Sequence, residues 1–479
     1  LNVRAEADPE RDVVVIGGGL AGIAAALDCA QAGARVTLVE VRRRLGGAAY
    51  SFERDGLRVD NGQHVFLRCC TAYRGLLARL GSEHGVVLQE RLRIPVLSPG
   101  REPVVLHRSA LPAPLHLAGA LMRYRHLTLG QRLRAARAAL ALGRLDPDDE
   151  ALERQTLGEW LTAHGQGPDA VAALWDLIAL PTLNLPAAQA SLGLGAFVFK
   201  TGLLASASAG DIGFHERPLS ETIAEPAARA LARAGIEVRM GWRAERIERT
   251  GWGFQVRGPG AGGAPNTPGV LGTGDMPNAP DTFDAPDMPN GPGTLDARAV
   301  IVAVPHARAA GLLQTLAPEI AGRLSRIESS PIVNVHVVYD RPVCEHRFAA
   351  GVGTPVQYLF DRTAAGGVPP GCQYLAVSLS GAEREMQMSV DALRERYLSA
   401  LSALFPRARH ARVETFFATR EHAATFRAAP GVARLRPGAQ TPAPGLVLAG
   451  AWTDTGWPAT LEGAVLSGHA AARAALAAR

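Results

Sequence analysis

A chain of 479 residues exceeds a single typical domain, so two domains are expected, and 47% hydrophobic with 20% charged residues excludes a disordered chain. The net charge of +5 rests almost wholly on arginine, Lys200 being the only lysine, and no arginine run is dense enough for a phosphate-binding patch, so nucleic acid is not an expected partner. Five scattered cysteines (Cys29, Cys69, Cys70, Cys344, Cys372) exclude a disulfide framework, and no run of about 18 apolar residues is present to span a bilayer.

The polar opening LNVRAEADPERD runs into a strand with no secretory pattern. With the cysteine usage this predicts a cytoplasmic protein, any membrane contact being peripheral and at the inner face of the membrane. Val13 to Ile16 is a β-branched run that reads as a buried parallel strand. It enters Gly17-Gly18-Gly19-Leu20-Ala21-Gly22, a G-x-G-x-x-G turn, followed by a small-residue helix to about Gln31 and a second strand ending at Glu40. In such a unit Gly17 permits the tight turn and Gly19 lets backbone approach a pyrophosphate. Gly22 lets helix pack on strand, the helix N-terminus at Leu20 and Ala21 faces the phosphate, and the Glu40 carboxylate accepts ribose hydroxyls. A second glycine pair, Gly46-Gly47, follows Arg42, Arg43 and Arg44 and would bring another backbone segment against the same pyrophosphate.

Farther on, DNGQHVFLRCC (60–70) mixes an acid, an amide, a histidine, an arginine and vicinal cysteines. A metal site is not expected there, because no second ligand cluster has suitable spacing; Cys69 and Cys70 read as strand packing. From Leu115 to Leu145 the chain is leucine-rich and arginine-studded, with Leu129, Leu133, Ala136 and Leu140 at helical spacing. A helix covering a core is the favoured reading and a membrane-interface helix the other. The most apolar stretch, AALWDLIALPTLNLPAAQASLGLGAFVFKTGLL, is cut by Pro181 and Pro186 and reads as buried helices or as the wall of a hydrophobic tunnel. Residues 258–297 are Pro- and Gly-rich with DMPN twice, an insertion in a short β connection. A last buried strand, Leu446 to Ala449, meets a glycine, a turn and a small-residue helix from about Thr460.

The segments LGGAAYSF, DNGQHVFLRCC, LPTLNLP, GDIGF and AGAWTDTGWPATLEGAVLSG, together with the glycine turn, resemble the hydroxysqualene dehydroxylases, within the amine oxidase and carotenoid desaturase superfamily. The resemblance spans nearly the whole chain except 258–297. It implies an α/β fold: a Rossmann-like FAD-binding domain built from 11–90, 220–310 and 437–479, with an α+β substrate-binding domain from 91–219 and 311–436. It implies FAD as cofactor, and a lipid partner: hydroxysqualene, reduced to squalene in bacterial hopanoid biosynthesis.

For the site, the resemblance implies that Arg43, Arg44, Gly46, Gly47 and Ala48 meet the diphosphate, although Ala48 stands where the family motif has an arginine. Ala244 would meet the adenine through its backbone. Gly62, Gln63 and His64 would turn past the flavin ring. Gly450, Ala451, Asp454, Pro458, Thr460 and Leu461 would close over the ribityl chain and the flavin O2, with Asp454 standing in for an acid that Ala451 replaces. His64 and Asp211 are the candidate proton donors. Related readings are a carotenoid-type desaturase, an amine oxidase, and a prenyl-lipid carrier without flavin.

Overall fold

The computed structural model of the chain describes residues 12–259 and 293–477. Its first core is an all-parallel sheet of five strands in the order Glu237–Met240, Arg35–Glu40, Asp12–Ile16, Ala299–Val302 and Leu446–Leu448. The DVVVI strand is buried along its full length, as expected of a β-branched run covered on both faces. Helix Leu20–Gln31 and helix Leu461–Ala477 pack on each other on one face of this sheet. Small residues set how close they come: a Cβ at Gly468 would lie 2.3 Å from the Ala21 carbonyl oxygen.

The second core is a seven-stranded sheet in the order Val413–Phe426, Ser329–Tyr339, Gln373–Ser380, Tyr358–Asp361, Phe348–Gly351, Arg93–Ser98 and Arg101–His107, antiparallel except between the fifth and sixth strands. Helices from 118 to 204 form the adjoining layer. LPTLNLP is the joint between the two. Helix Asp176–Leu183 runs through Pro181, which has no N–H for the carbonyl of Leu177 four residues earlier. The Tyr358 hydroxyl donates to that carbonyl at 2.6 Å, so the sheet supplies what the proline removes. Asn184, left-handed at φ 53°, ends the helix. Its amide donates to Ser330 O and Thr425 Oγ1 and accepts the Gly381 N–H.

The parallel sheet draws its strands from the three stretches assigned above to cofactor binding, and the seven-stranded sheet draws its strands from the other two. The strand Ile212–His215 crosses that division. It is the middle strand of a small sheet between Val65–Leu67 and Val86–Leu88, so GDIGF ties the two units together.

Two expectations are corrected. The 258–297 segment is shorter than its composition indicates, because Thr294–Ala297 is a strand paired with Phe254–Arg257; residues 260–292 lie outside the described residues. The helix Leu129–Leu142 does not bury its leucine stripe. Ala135, Ala138 and Leu142 face the core, whereas Leu129, Leu133 and Leu140 are exposed.

The ends of the insertion are already joined, Gly258 N–H donating to Gly293 O at 2.8 Å. Deleting 262–292 and closing the gap with a short turn is therefore expected to leave thermal unfolding and flavin content unchanged, since loop length contributes little to stability. Loss of folded protein on size exclusion would contradict this.

Candidate functional site

Two glycine turns meet at the C-terminal edge of the parallel sheet. Gly46 N–H donates to Gly18 O at 2.9 Å, and the Cα atoms of Gly19 and Gly47 come close enough that a Cβ on Gly47 would lie 2.8 Å from Gly19 Cα. Gly17 and Gly22 are glycines for the protein's own sake. Gly17 has φ +113°, and a Cβ at Gly22 would lie 1.9 Å from Gly17 O. Gly19 is different. Its φ of −77° suits any residue, and a Cβ there would meet only Gly47 Cα, at an ordinary 3.7 Å. Nothing in the protein demands a glycine at 19, which is the pattern expected where a ligand must approach the backbone. Gly19 is also the N-terminal cap of a helix with no side-chain cap and no acid in its first turn, so the N–H groups of Leu20, Ala21 and Gly22 are free to receive a phosphate.

Glu40 organises this corner. Its carboxylate accepts the N–H of Gly18 at 2.6 Å and of Arg42 at 2.8 Å; carboxylate lone pairs beyond these two remain for ribose hydroxyls. Backbone bonds from Trp242 N–H to Glu40 O and Gly241 N–H to Arg42 O lay the segment carrying Ala244 alongside, and Arg308 holds Ala244 O at 2.6 Å. Arg43 and Ala48 are both exposed. Arg44 donates to Gly47 O at 3.1 Å and lies 3.4 Å over the Tyr50 ring, so it closes the second glycine turn. Burial, then the charge of Arg42, pulls its guanidinium down to about 10, still cationic at neutral pH.

At the C-terminal end Gly450, at φ +143°, donates to Ser467 Oγ, and Ala451 follows it half-buried. Pro458 is buried, and Thr460 Oγ1 accepts the Gly463 N–H, capping the helix that begins at Leu461. Asp454 lies on the surface of this turn. Its side chain is exposed and accepts the N–H of Gly456 in its own turn. The buried acid here is Glu462, whose two oxygens accept the N–H groups of Ala72 at 2.9 Å and Tyr73 at 2.7 Å. Burial pushes its carboxyl up, an effect those two N–H groups oppose. Sequence reasoning missed it, although its place in the TGWPATLEG motif was visible.

DNGQHVFLRCC resolves into parts. Asp60 is a buried anchor, paired with Arg362 at 2.6 Å and accepting Ser51 Oγ and Leu219 N–H. Asn61 bonds Tyr50 N–H, Ala48 O and Glu421, so it fixes the second glycine turn against the seven-stranded sheet. Asp60 ends the strand Leu57–Asp60 and Val65–Leu67 is a second short strand; Cys69 and Cys70 lie in the turn before helix Thr71–Leu80, the Cys70 sulfur accepting the Leu67 N–H. Among the described residues no group of three or more His, Cys, Asp or Glu could hold a metal.

Between anchor and strand sit Gly62, Gln63 and His64, with Asn334 Nδ2 and His64 Nε2 each 3.7 Å from where a Cβ on Gly62 would be. Gln63 Nε2 and Asn334 Oδ1 are shielded from solvent without a hydrogen-bond partner. A buried donor and acceptor left unpaired are costly unless a ligand meets them, and they fit a heteroaromatic ring such as the isoalloxazine of FAD. Burial lowers the His64 imidazole below the ordinary histidine value, partly opposed by Asp60, so it is neutral at pH 7. Behind it His215 and His336 are pushed down to about 3, chiefly by burial, and both rings have partners: Tyr73 and Thr222 for the first, Tyr374 and Thr419 for the second.

Asp211 is not placed to give up a proton. Its side chain is wholly buried and accepts four hydrogen bonds, from Arg68 Nε, from Arg108 Nε and Nη2, and from Leu92 N–H. Burial raises its carboxyl, but the two guanidiniums outweigh this and hold it below the usual range, hence ionised. It is a joint between GDIGF and the strands beside it.

A glycine turn at a helix N-terminus, doubled by a second glycine pair at the edge of a parallel sheet, fits the diphosphate of a dinucleotide cofactor such as FAD. The chain belongs to the flavin containing amine oxidoreductase family, whose model matches residues 20–476, and it is an FAD-dependent oxidoreductase. It is 30% identical to hydroxysqualene dehydroxylase of Rhodopseudomonas palustris over 98% of this chain and 99% of the relative. Identity to the hydroxysqualene dehydroxylase of Sinorhizobium fredii is 28%, over 97% and 98%. A putrescine oxidase variant redesigned in its cofactor binding shares the fold with a TM-score of 0.71 at 17% identity, over 98% of this chain and 99% of that one.

Proposed function

We propose that the enzyme replaces the allylic hydroxyl of hydroxysqualene with hydrogen, releasing squalene and water, as a step of bacterial squalene and hopanoid biosynthesis. The observation that carries this reading is end-to-end similarity to hydroxysqualene dehydroxylases at up to 30% identity. Bound FAD, when reduced, supplies the hydride. The protein's part is to exclude water and to protonate the leaving oxygen. Apolar side chains support the exclusion of water. Phe348 packs against Phe214, Tyr358 and Phe360, and Phe197 meets Trp457 edge-on where the helical layer reaches the C-terminal turn.

With Asp211 held ionised, His64 is the donor this reading uses. An amine oxidase reading has less support: Lys200, the only lysine, donates to the Leu145 carbonyl in the helical layer. A flavin-free lipid carrier would have no use for a glycine at 19.

The test is anaerobic turnover. The reduced holoenzyme is expected to form squalene from hydroxysqualene, and the oxidised holoenzyme to form none. Desaturation of a polyene by the oxidised enzyme would overturn the direction. Because the His64 pKa is lowered, its cationic form grows only as pH falls below about 6.5. Turnover should therefore rise toward acid in the wild type, whereas His64→Gln should be slower by roughly a hundredfold and lack that rise. Equal rates and profiles would remove His64 from the chemistry.

A further inference from the structure

Among the described residues eleven large apolar side chains are exposed, and six of them fall between 111 and 140: Leu111, Leu115, Met122, Leu129, Leu133 and Leu140. The helix Leu129–Leu142 shows why this is not incidental. At about 100° per residue, its three exposed leucines share one narrow stripe, and Ala135, Ala138 and Leu142 lie on the opposite side. A surface helix that merely covers a core carries its large apolar residues inward. Here two alanines and only one leucine, Leu142, face the core, and Leu129, Leu133 and Leu140 are 57%, 49% and 49% exposed. Arg132 bonds the carbonyls of Met122, Tyr124 and Leu127, binding the preceding short helix Ala118–Arg123 to this one, so both contribute to one surface.

The charge on this surface has one sign. No acidic residue occurs between Glu102 and Asp146, while seven arginines do, in a chain whose acids and bases over its whole length number 45 and 50. Arg123, Arg125, Arg134, Arg137 and Arg144 are exposed, and at about 100° per residue Arg137 borders the leucine stripe, with Arg134 farther round the helix on the same side. No helix among the described residues is long and apolar enough to cross a membrane, so this surface would lie on one.

We propose that the 111–144 surface docks the enzyme on an anionic lipid bilayer, its leucines entering the headgroup boundary and its arginines meeting lipid phosphates. A second copy of the chain is a poorer occupant, because a two-fold contact would set these arginines against themselves with no carboxylate among them. The proposal rests on this surface alone and does not depend on which substrate the site takes.

Flotation of the holoenzyme with vesicles tests it without any turnover. Binding to phosphatidylglycerol vesicles is expected, much weaker binding to phosphatidylcholine vesicles, and release as salt rises. A Leu129→Ser, Leu133→Ser, Leu140→Ser variant should fold and keep its flavin, since these side chains are exposed, yet its vesicle partition should drop by about a hundredfold or more. An Arg134→Gln, Arg137→Gln variant should lose much of the preference for the anionic vesicle. Undiminished flotation of the leucine variant, or no wild-type flotation at low salt, would overturn the proposal. So would self-association in the ultracentrifuge that the leucine variant abolishes while vesicles bind neither protein, which would assign the surface to a second copy.

Discussion

Gly19→Val is expected to give a folded protein that retains no flavin. The backbone at 19 is extended, at φ −77° and ψ 177°, and a Cβ meets nothing closer than 3.7 Å, so the substitution costs the fold little. The added methyls would stand where the diphosphate must approach the first N–H groups of helix Leu20–Gln31. FAD affinity should fall by about a hundredfold or more, read as loss of the visible flavin band at an unchanged unfolding midpoint. Gly22→Ala is the control with the opposite signature. Its Cβ would lie 1.9 Å from Gly17 O, which backbone must move to relieve, so the fold should weaken whether or not flavin is present. Full FAD occupancy in Gly19→Val would show that this turn does not hold the phosphates.

The second large effect is at Asp211. Asp211→Asn removes a fully buried charge from between Arg68 and Arg108. Breaking a buried pair by removing one partner costs about 3–5 kcal/mol. The lower end is expected here, because Arg68 and Arg108 keep 33% and 13% of their side chains exposed. Urea unfolding should show the loss, and whatever folded protein remains should turn over at the wild-type rate per bound flavin. A stable variant with slowed hydroxyl loss would return Asp211 to the chemistry. The pair also sets an acid limit. Its carboxyl is held below the usual range, so its contribution is complete above the ordinary aspartate value near 3.9 and is lost as pH falls through the lower folded value.

How far the sequence could be read depended on the distance between partners. The glycine turn and Glu40 are local chemistry, written in consecutive residues, and both fall where their spacing places them. The anchors of the site are long-range. Asp60 meets Arg362 across 302 positions, Asn61 meets Glu421 across 360, and Glu462 caps the Tyr73 end of its helix across 389. No periodicity announces such pairs, and the same distance disguised Asp211 as a candidate acid. The helix Leu129–Leu142 shows a different limit. Its 3.6-residue period was legible, but period does not say which of two apolar stripes faces inward, and the stripe of Ala135, Ala138 and Leu142 took the core.

Passage of hydrogen from reduced flavin to the carbon that loses its hydroxyl is open to a direct test. The holoenzyme should be reduced anaerobically in heavy water, where the transferable flavin hydrogen exchanges with solvent, and then given unlabelled hydroxysqualene. Squalene carrying one deuterium at the former carbinol carbon is expected, in an amount matching the flavin oxidised. Squalene without that label, or formed equally by enzyme that was never reduced, would contradict it.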